Sequence, residues 1–186
     1  GTFAYDHLYS LAGSAAAKPA ATVARRIDRS AMPPIGLIDT EIDLGHPSLA
    51  ATQIVSKTFH GGLPDRSAHG TAVASLMVDG TPNVAPARRH MLYAADVFEG
   101  PSEGDAVASA VSVARALDWL CGQRVKVANL SLEGQPNPLL ELAIEAAQTC
   151  GISIVAAAGN NGPASAPRYP AAYPGVIAVT AVDGDG

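Results

Sequence analysis

The residues with chemistry to offer sit at the ends of apolar runs. His69, followed by Gly70 and Thr71, stands directly ahead of the helical run AVASLM. Asp39 ends PIGLID, Asn129 and Ser131 end VKVANLS, and Gly159 and Asn160 end IVAAAGN. A carboxylate can orient an imidazole, an imidazole can act as a general base, and a carboxamide can donate to an oxyanion. Together these are the parts of acyl transfer. Each also has a plainer reading. An Asp after a strand serves as a turn or cap residue, and a His ahead of a helix serves as a cap. An Asn in GNNG suits a turn with left-handed backbone. The joint pattern, not any one residue, carries the chemical reading.

Such distant residues meet only if the elements bearing them share an edge. PIGLID, QIVSKTF, HMLYAADV, VKVANLS, ISIVAAAGN and GVIAVTAV are apolar runs of strand length. TAVASLMV, GDAVASAVSVARALDWL and PNPLLELAIEAAQTCG are helical in length and spacing. In the second of these, Val107, Ala110, Val111, Ala114 and Leu117 would form one apolar face. The third has prolines at its front and a glycine just past its end. Alternating strands and helices, with nearly continuous apolar strands, predict a parallel sheet covered by helices on both faces. Right-handed crossovers then bring the strand C-termini to one edge, where sites collect.

Composition narrows the function classes. The 186 residues suffice for one domain with a real core. Charged residues are 16% and apolar residues 48%, as in a folded chain with many buried elements. The net charge of −5 and the lack of a basic run argue against a nucleic-acid partner. No run approaches the ~20 apolar residues of a membrane-spanning helix. No dinucleotide or nucleotide phosphate loop follows the first strand. Two cysteines without a CxxC make a cysteine-built zinc site improbable. Residues 1–33 are Ala-rich and read as an N-terminal extension or arm, with a short helix at ATVARRI. Residues 34–186 are the domain proper.

At this point the motifs become recognisable. IGLIDTEIDLGHPSL resembles the aspartate motif of the subtilisin-like serine proteases, and HGTAVASLM resembles their histidine motif. ANLSLEG is similar to their substrate-binding strand and AAAGNNG to their oxyanion motif. NVAPARRHMLYAADVF and RYPAAYPGVIAVTAVD resemble the flanking segments, in the family's order. The resemblance implies an α/β fold: a three-layer sandwich with a mainly parallel, twisted sheet and helices on both faces, truncated at its C-terminal end. It implies a serine endopeptidase acting on peptide or protein substrates. Asp39 would hold His69, His69 would act as general base and acid, and Asn160 would donate to the oxyanion. Ser131, Leu132 and Glu133 would pair with an extended substrate.

The departures are as informative. The family's nucleophile sits in a Gly-Thr-Ser string, and none occurs here. Ser131 belongs to the substrate strand, so the serine is expected on a C-terminal segment, and the chain alone is expected to be inactive. A nicked protease with a docked second fragment, a shortened chain and a catalytically silent peptide-binding or scaffold relative all remain open. An incomplete chain would also expose apolar surface. Glu41 replaces the family's usual glycine, Ser48 replaces an acidic calcium ligand, and the loop DGTPN is short. Neither calcium at that site nor any other cofactor is therefore expected. Glu133 replaces a glycine at the pocket rim, where it would either favour a basic substrate residue or lie in solvent. In the family's layout, Cys121 and Cys150 end helices that pack side by side. Either a disulfide or two buried thiols would fit, and a disulfide would suit a secreted or periplasmic protein.

Overall fold

The computed structural model describes residues 8–12, 33–63, 68–79, 91–100, 106–159 and 166–180. In chain order the elements are β1 (Leu8–Leu11), β2 (Ile35–Asp39), a 3-10 turn (Pro47–Leu49), β3 (Ile54–Thr58), α1 (His69–Asp79), β4 (Leu92–Asp96), β5 (Phe98–Glu99) and β6 (Val107–Ser109). They continue as α2 (Ala110–Gly122), β7 (Val127–Leu130), β8 (Leu132–Glu133), α3 (Pro138–Thr149), β9 (Ser153–Ala157) and β10 (Ile177–Val179). The helix expected at ATVARRI and the loop DGTPN beyond Asp79 lie outside the described residues.

Six strands form a parallel sheet in the order β10-β9-β7-β2-β4-β3. β2 is central and wholly buried, and its alternate side chains feed two cores. Ile35 and Leu37 pack with Ala74 of α1, Leu92 and Ala94. Ile38 packs on the other face with Leu120 of α2, Ile144 of α3, Leu130 and Ile154. Helices therefore cover both faces, as the alternating pattern predicted. The edge strands differ from that prediction. Val55 of β3 and Ile177 and Val179 of β10 are exposed.

The helix expected from Gly104 begins at Ala110. Ser109 is extended, and its hydroxyl accepts from Ser112 N at 3.0 Å, which caps α2 there. Val107–Ser109 is instead held as strand between β5 and β1. Tertiary pairing thus overrides local preference. Ala110 and Leu117 of the expected apolar face are buried, together with Val113, Ala116 and Leu120, whereas Val111 is exposed. Cys121, in the last turn of α2, and Cys150, capping α3, are joined as a disulfide with a Cα–Cα distance of 6.0 Å.

A second sheet, in the order β5-β6-β1-β8, is antiparallel. It takes in one short stretch of residues 1–33, the region read as an extension or arm. Leu8–Leu11 is an interior strand of this sheet, and Tyr9 and Ala12 are buried. A four-residue run carries almost no periodic signal. Its burial comes from strands about a hundred residues away.

Candidate active site

Asp39 is the last residue of β2 and is fully buried. Val97 N donates to its carbonyl at 3.1 Å, and Ser131 N donates to the preceding carbonyl, of Ile38, at 3.2 Å. The backbone of Asp39 is thus gripped from β4 and β7 together. Its Oδ1 accepts from Thr40 N at 2.7 Å and lies 2.7 Å from His69 Nδ1. An ionised carboxylate can only accept, so Nδ1 carries the proton and Nε2 is the basic nitrogen. Oδ2 is buried with no hydrogen-bond partner among the described residues.

The placement of His69 depends on a close approach. α1 begins against the turn after β2, and Gly70 N donates to Thr40 Oγ1 at 2.9 Å. A methyl group on Gly70 would stand only 2.5 Å from Thr40 O. Glycine after His69 therefore lets the helix start touch the Asp39–Thr40 turn. Thr71 completes the dock by accepting from Asp43 N at 2.9 Å. The imidazole is the more open partner, with its side chain 16% exposed against 1% for Asp39.

Ser131 and Leu132 are buried at the end of β7 and in β8. Ser131 Oγ accepts from Asn129 Nδ2 at 2.7 Å. The strand expected to receive a substrate is already paired, with β1. A side chain on Gly159 would run into Glu133 Oε2 and the stem of Arg168, so these three residues meet at one spot. Oε2 and Arg168 Nε are buried there without partners among the described residues. Asn160 itself lies outside the described residues; β9 ends three positions before it. Ser48, where the family often has a calcium ligand, bonds His46 Nδ1 at 2.7 Å and Ser75 Oγ at 2.6 Å. The string GPSEG (100–104) has the letters of a serine-elbow motif, but the next element among the described residues is a strand, not the helix that such a motif opens.

One pair escaped the sequence reading. His60 Nε2 lies 3.0 Å from Asp96 Oδ2, with both side chains almost fully buried. Thr58 Oγ1 donates to the same oxygen at 3.4 Å, and Glu99 Oε2 is 3.9 Å from His60 Nδ1. Burial pushes the Asp96 carboxyl above its usual range, against the bond and charge of His60, and the charge of Glu41 adds to the rise. Asp96 pairs in register with Asp39, so a second His–Asp pair stands one strand away from the first. The signal was available: both residues lie at strand ends on the same edge.

Comparison with known proteins identifies the family. Residues 32–185 match the model of the Subtilase family. The chain is 36% identical over 163 residues to a thermostable alkaline protease of Halalkalibacterium halodurans, covering 82% of this chain and 42% of that protein. It is 37% identical over 159 residues to Subtilisin BL of Lederbergia lenta, covering 80% and 55%. Among solved structures it resembles fervidolysin of Fervidobacterium pennivorans, a keratinolytic enzyme related to subtilisin, with TM-score 0.66 and 27% identity over 83% of this chain and 25% of that one. It also resembles the patellamide maturation protease PatA, with TM-score 0.66 and 26% identity over 83% and 58%. The chain spans about half the length of the curated relatives it matches. With its parallel sheet, its buried aspartate on a helix-start histidine and a family match over most of its length, the chain belongs to the subtilase family of subtilisin-like serine proteases.

Proposed function

We propose that this chain is the aspartate–histidine part of a subtilisin-type serine endopeptidase acting on extended peptide or protein segments. The observation that carries the proposal is the 2.7 Å contact between buried Asp39 and the more open His69. Asp39 fixes the tautomer and steadies the imidazolium. His69 Nε2 takes the proton of a serine hydroxyl as that oxygen attacks the scissile carbonyl, and later returns it to the leaving amine. Asn160 donates its carboxamide to the tetrahedral oxyanion. Ser131, Leu132 and Glu133 form the rail along which substrate pairs.

The nucleophile comes from outside residues 1–186, on a C-terminal segment or companion fragment, since no Gly-Thr-Ser occurs within them. One feature supports this. On the α1 side of the sheet, Val127 is 40% exposed, Ile177 53% and Val179 42%, with no helix over them among the described residues. A further element would bury that face. The bridged cysteines suit export to an oxidising compartment.

The test is labelling with a serine-directed fluorophosphonate, using the native protein with whatever follows Gly186 or co-purifies with it. Labelling that disappears in His69→Ala is the expected result. An intact fold with no labelling would overturn the enzyme reading in favour of a silent peptide-binding relative.

A further inference from the structure

Three polar side chains stand in a row across the edge of the parallel sheet. Thr58 ends β3, Asp96 ends β4 and Asp39 ends β2, and they are paired in register. In-register neighbours on parallel strands point to one face, here the α1 face that Leu37, Leu92 and Ala94 also share. Each aspartate has its own imidazole. Asp39 holds His69 at 2.7 Å, and Asp96 holds His60 at 3.0 Å. Each also keeps one buried oxygen without a hydrogen-bond partner among the described residues, Oδ2 of Asp39 and Oδ1 of Asp96. Two buried carboxylates one strand spacing apart, about 4.8 Å, repel each other where screening is weak. The two pairs therefore bind and lose protons as a coupled system.

The other groups facing Asp96 deepen the negative field. Glu41 lies two residues past β2, and its charge acts on Asp96. Glu99 of β5 approaches His60 from the far side, with Oε2 3.9 Å from Nδ1. Lys57 of β3 points to the opposite face, where it lies 5.0 Å from the ring of Phe59 and 5.9 Å from that of Trp119. The Asp96–His60 pair is neutral while a proton is shared between carboxylate and imidazole. It is anionic once that proton has passed to solvent.

We infer that the Asp96–His60 pair sets the basicity of His69, acting through Asp39 and never touching substrate. This rests on the reading of His69 as the general base. While the pair keeps its proton, Asp39 is the nearest negative charge behind the imidazole. Once the proton is lost, a second charge stands one strand further back and stabilises the imidazolium. His69 Nε2 then holds a proton more tightly. By linkage, a proton on His69 makes the second pair release its own more readily. A merely structural pair would fasten β3 to β4 and leave the titration of His69 untouched.

The test is NMR of the native protein with nitrogen-15-labelled histidines, followed from about pH 4 to pH 9, the range in which imidazoles titrate. His69→Ala identifies the His69 signals. Asp96→Asn keeps an oxygen for His60 and removes the charge. A strand spacing of about 4.8 Å and the 2.7 Å bond put Asp96 roughly 7–8 Å from the His69 ring. At an effective dielectric constant of about 20, one charge at that distance moves an imidazole midpoint by about 1.5 pH units. Solvent at the 16% exposed His69 side chain reduces this, so the midpoint should fall by at least about 0.5 pH unit in Asp96→Asn. A midpoint that stays the same or rises overturns the inference. If Asp96→Asn is not folded by circular dichroism, the unaltered protein decides. Its His69 signal should show a second inflection at the pH where His60 reports loss of the pair's proton. Independent single-step curves for the two imidazoles overturn the inference. Neither readout needs a nucleophile. Coupling without fluorophosphonate labelling sinks only the enzyme reading, and labelling without coupling sinks this inference alone.

Discussion

Gly70→Ala is a sharp probe of how the Asp39–His69 pair is held. The added methyl would sit 2.5 Å from Thr40 O, where ordinary contact begins at 3.4 Å, so α1 must retreat by about 0.9 Å. His69 is the adjoining residue, and its 2.7 Å contact with Asp39 has little slack. The same retreat carries it to about 3.6 Å, outside hydrogen-bond range. Overpacking of this kind costs about 1–3 kcal/mol. Replacing glycine in a helix returns at most about 1 kcal/mol. Overpacking therefore wins, and the melting temperature should fall by roughly 2–8 °C for a chain of this size. If the proposed endopeptidase reading holds, a misplacement of about 1 Å should lower kcat/KM of the protein carrying the serine on the order of a hundredfold. The direct assay is proton NMR of the His69 imidazole, specifically labelled with nitrogen-15. The Nδ1 proton bonded to a buried carboxylate should resonate far downfield, and in Gly70→Ala it should move upfield or exchange away. An unchanged resonance together with an unchanged melting temperature would refute the idea that glycine sets this contact.

Two other expectations concern the frame around the site. Replacing Cys121 and Cys150 by alanine removes a cross-link closing a 29-residue separation. In the chain-entropy model this destabilises the fold by about 3.5 kcal/mol, measurable by urea unfolding; a loss under 1 kcal/mol would rule out the entropic account. For Asp96, the folded-state pKa is raised, so the unfolded chain gives up its proton first as pH climbs. Its contribution is therefore fully present below about pH 4 and is lost as pH rises through the raised value. Asp96→Asn lacks that slope, so its stability relative to the parent should improve as pH rises above about 4 and level off once the raised value is passed. A gap that stays constant with pH would show that His60 fully offsets the burial of the carboxylate.

Much of this architecture was legible because burial on two faces writes continuous apolar runs. β2, β4, β7 and β9 were found that way, and so was Asp39, which punctuates the first of those runs. His69 was legible because a polar residue ahead of a helical run has few roles. The second sheet was not legible. β5, β6 and β8 have only two or three residues each, too few for a period, and their conformation is imposed by one another and by β1. The same cause moved the start of α2: Val107 is as apolar as a helix-face residue, yet it is held extended by pairing with Glu99. Asp96 lies within the run HMLYAADV and His60 just past QIVSKTF, so neither punctuates its run as Asp39 does. Their partnership depends on the lateral order of β3 and β4, which no linear pattern encodes.

The order of that parallel sheet also sets when chemistry becomes possible. Each ladder joins strands that are distant along the chain, so loop closure precedes any gain from pairing, a topology that folds slowly. Asp39 acquires its walls only when β4 and β7 have both arrived, and Ser10 reaches Glu133 across 123 residues. A half-assembled chain accordingly has both side chains but not the Asp39–His69 contact. The topology acts as a clock, delaying the basic nitrogen until folding is nearly complete.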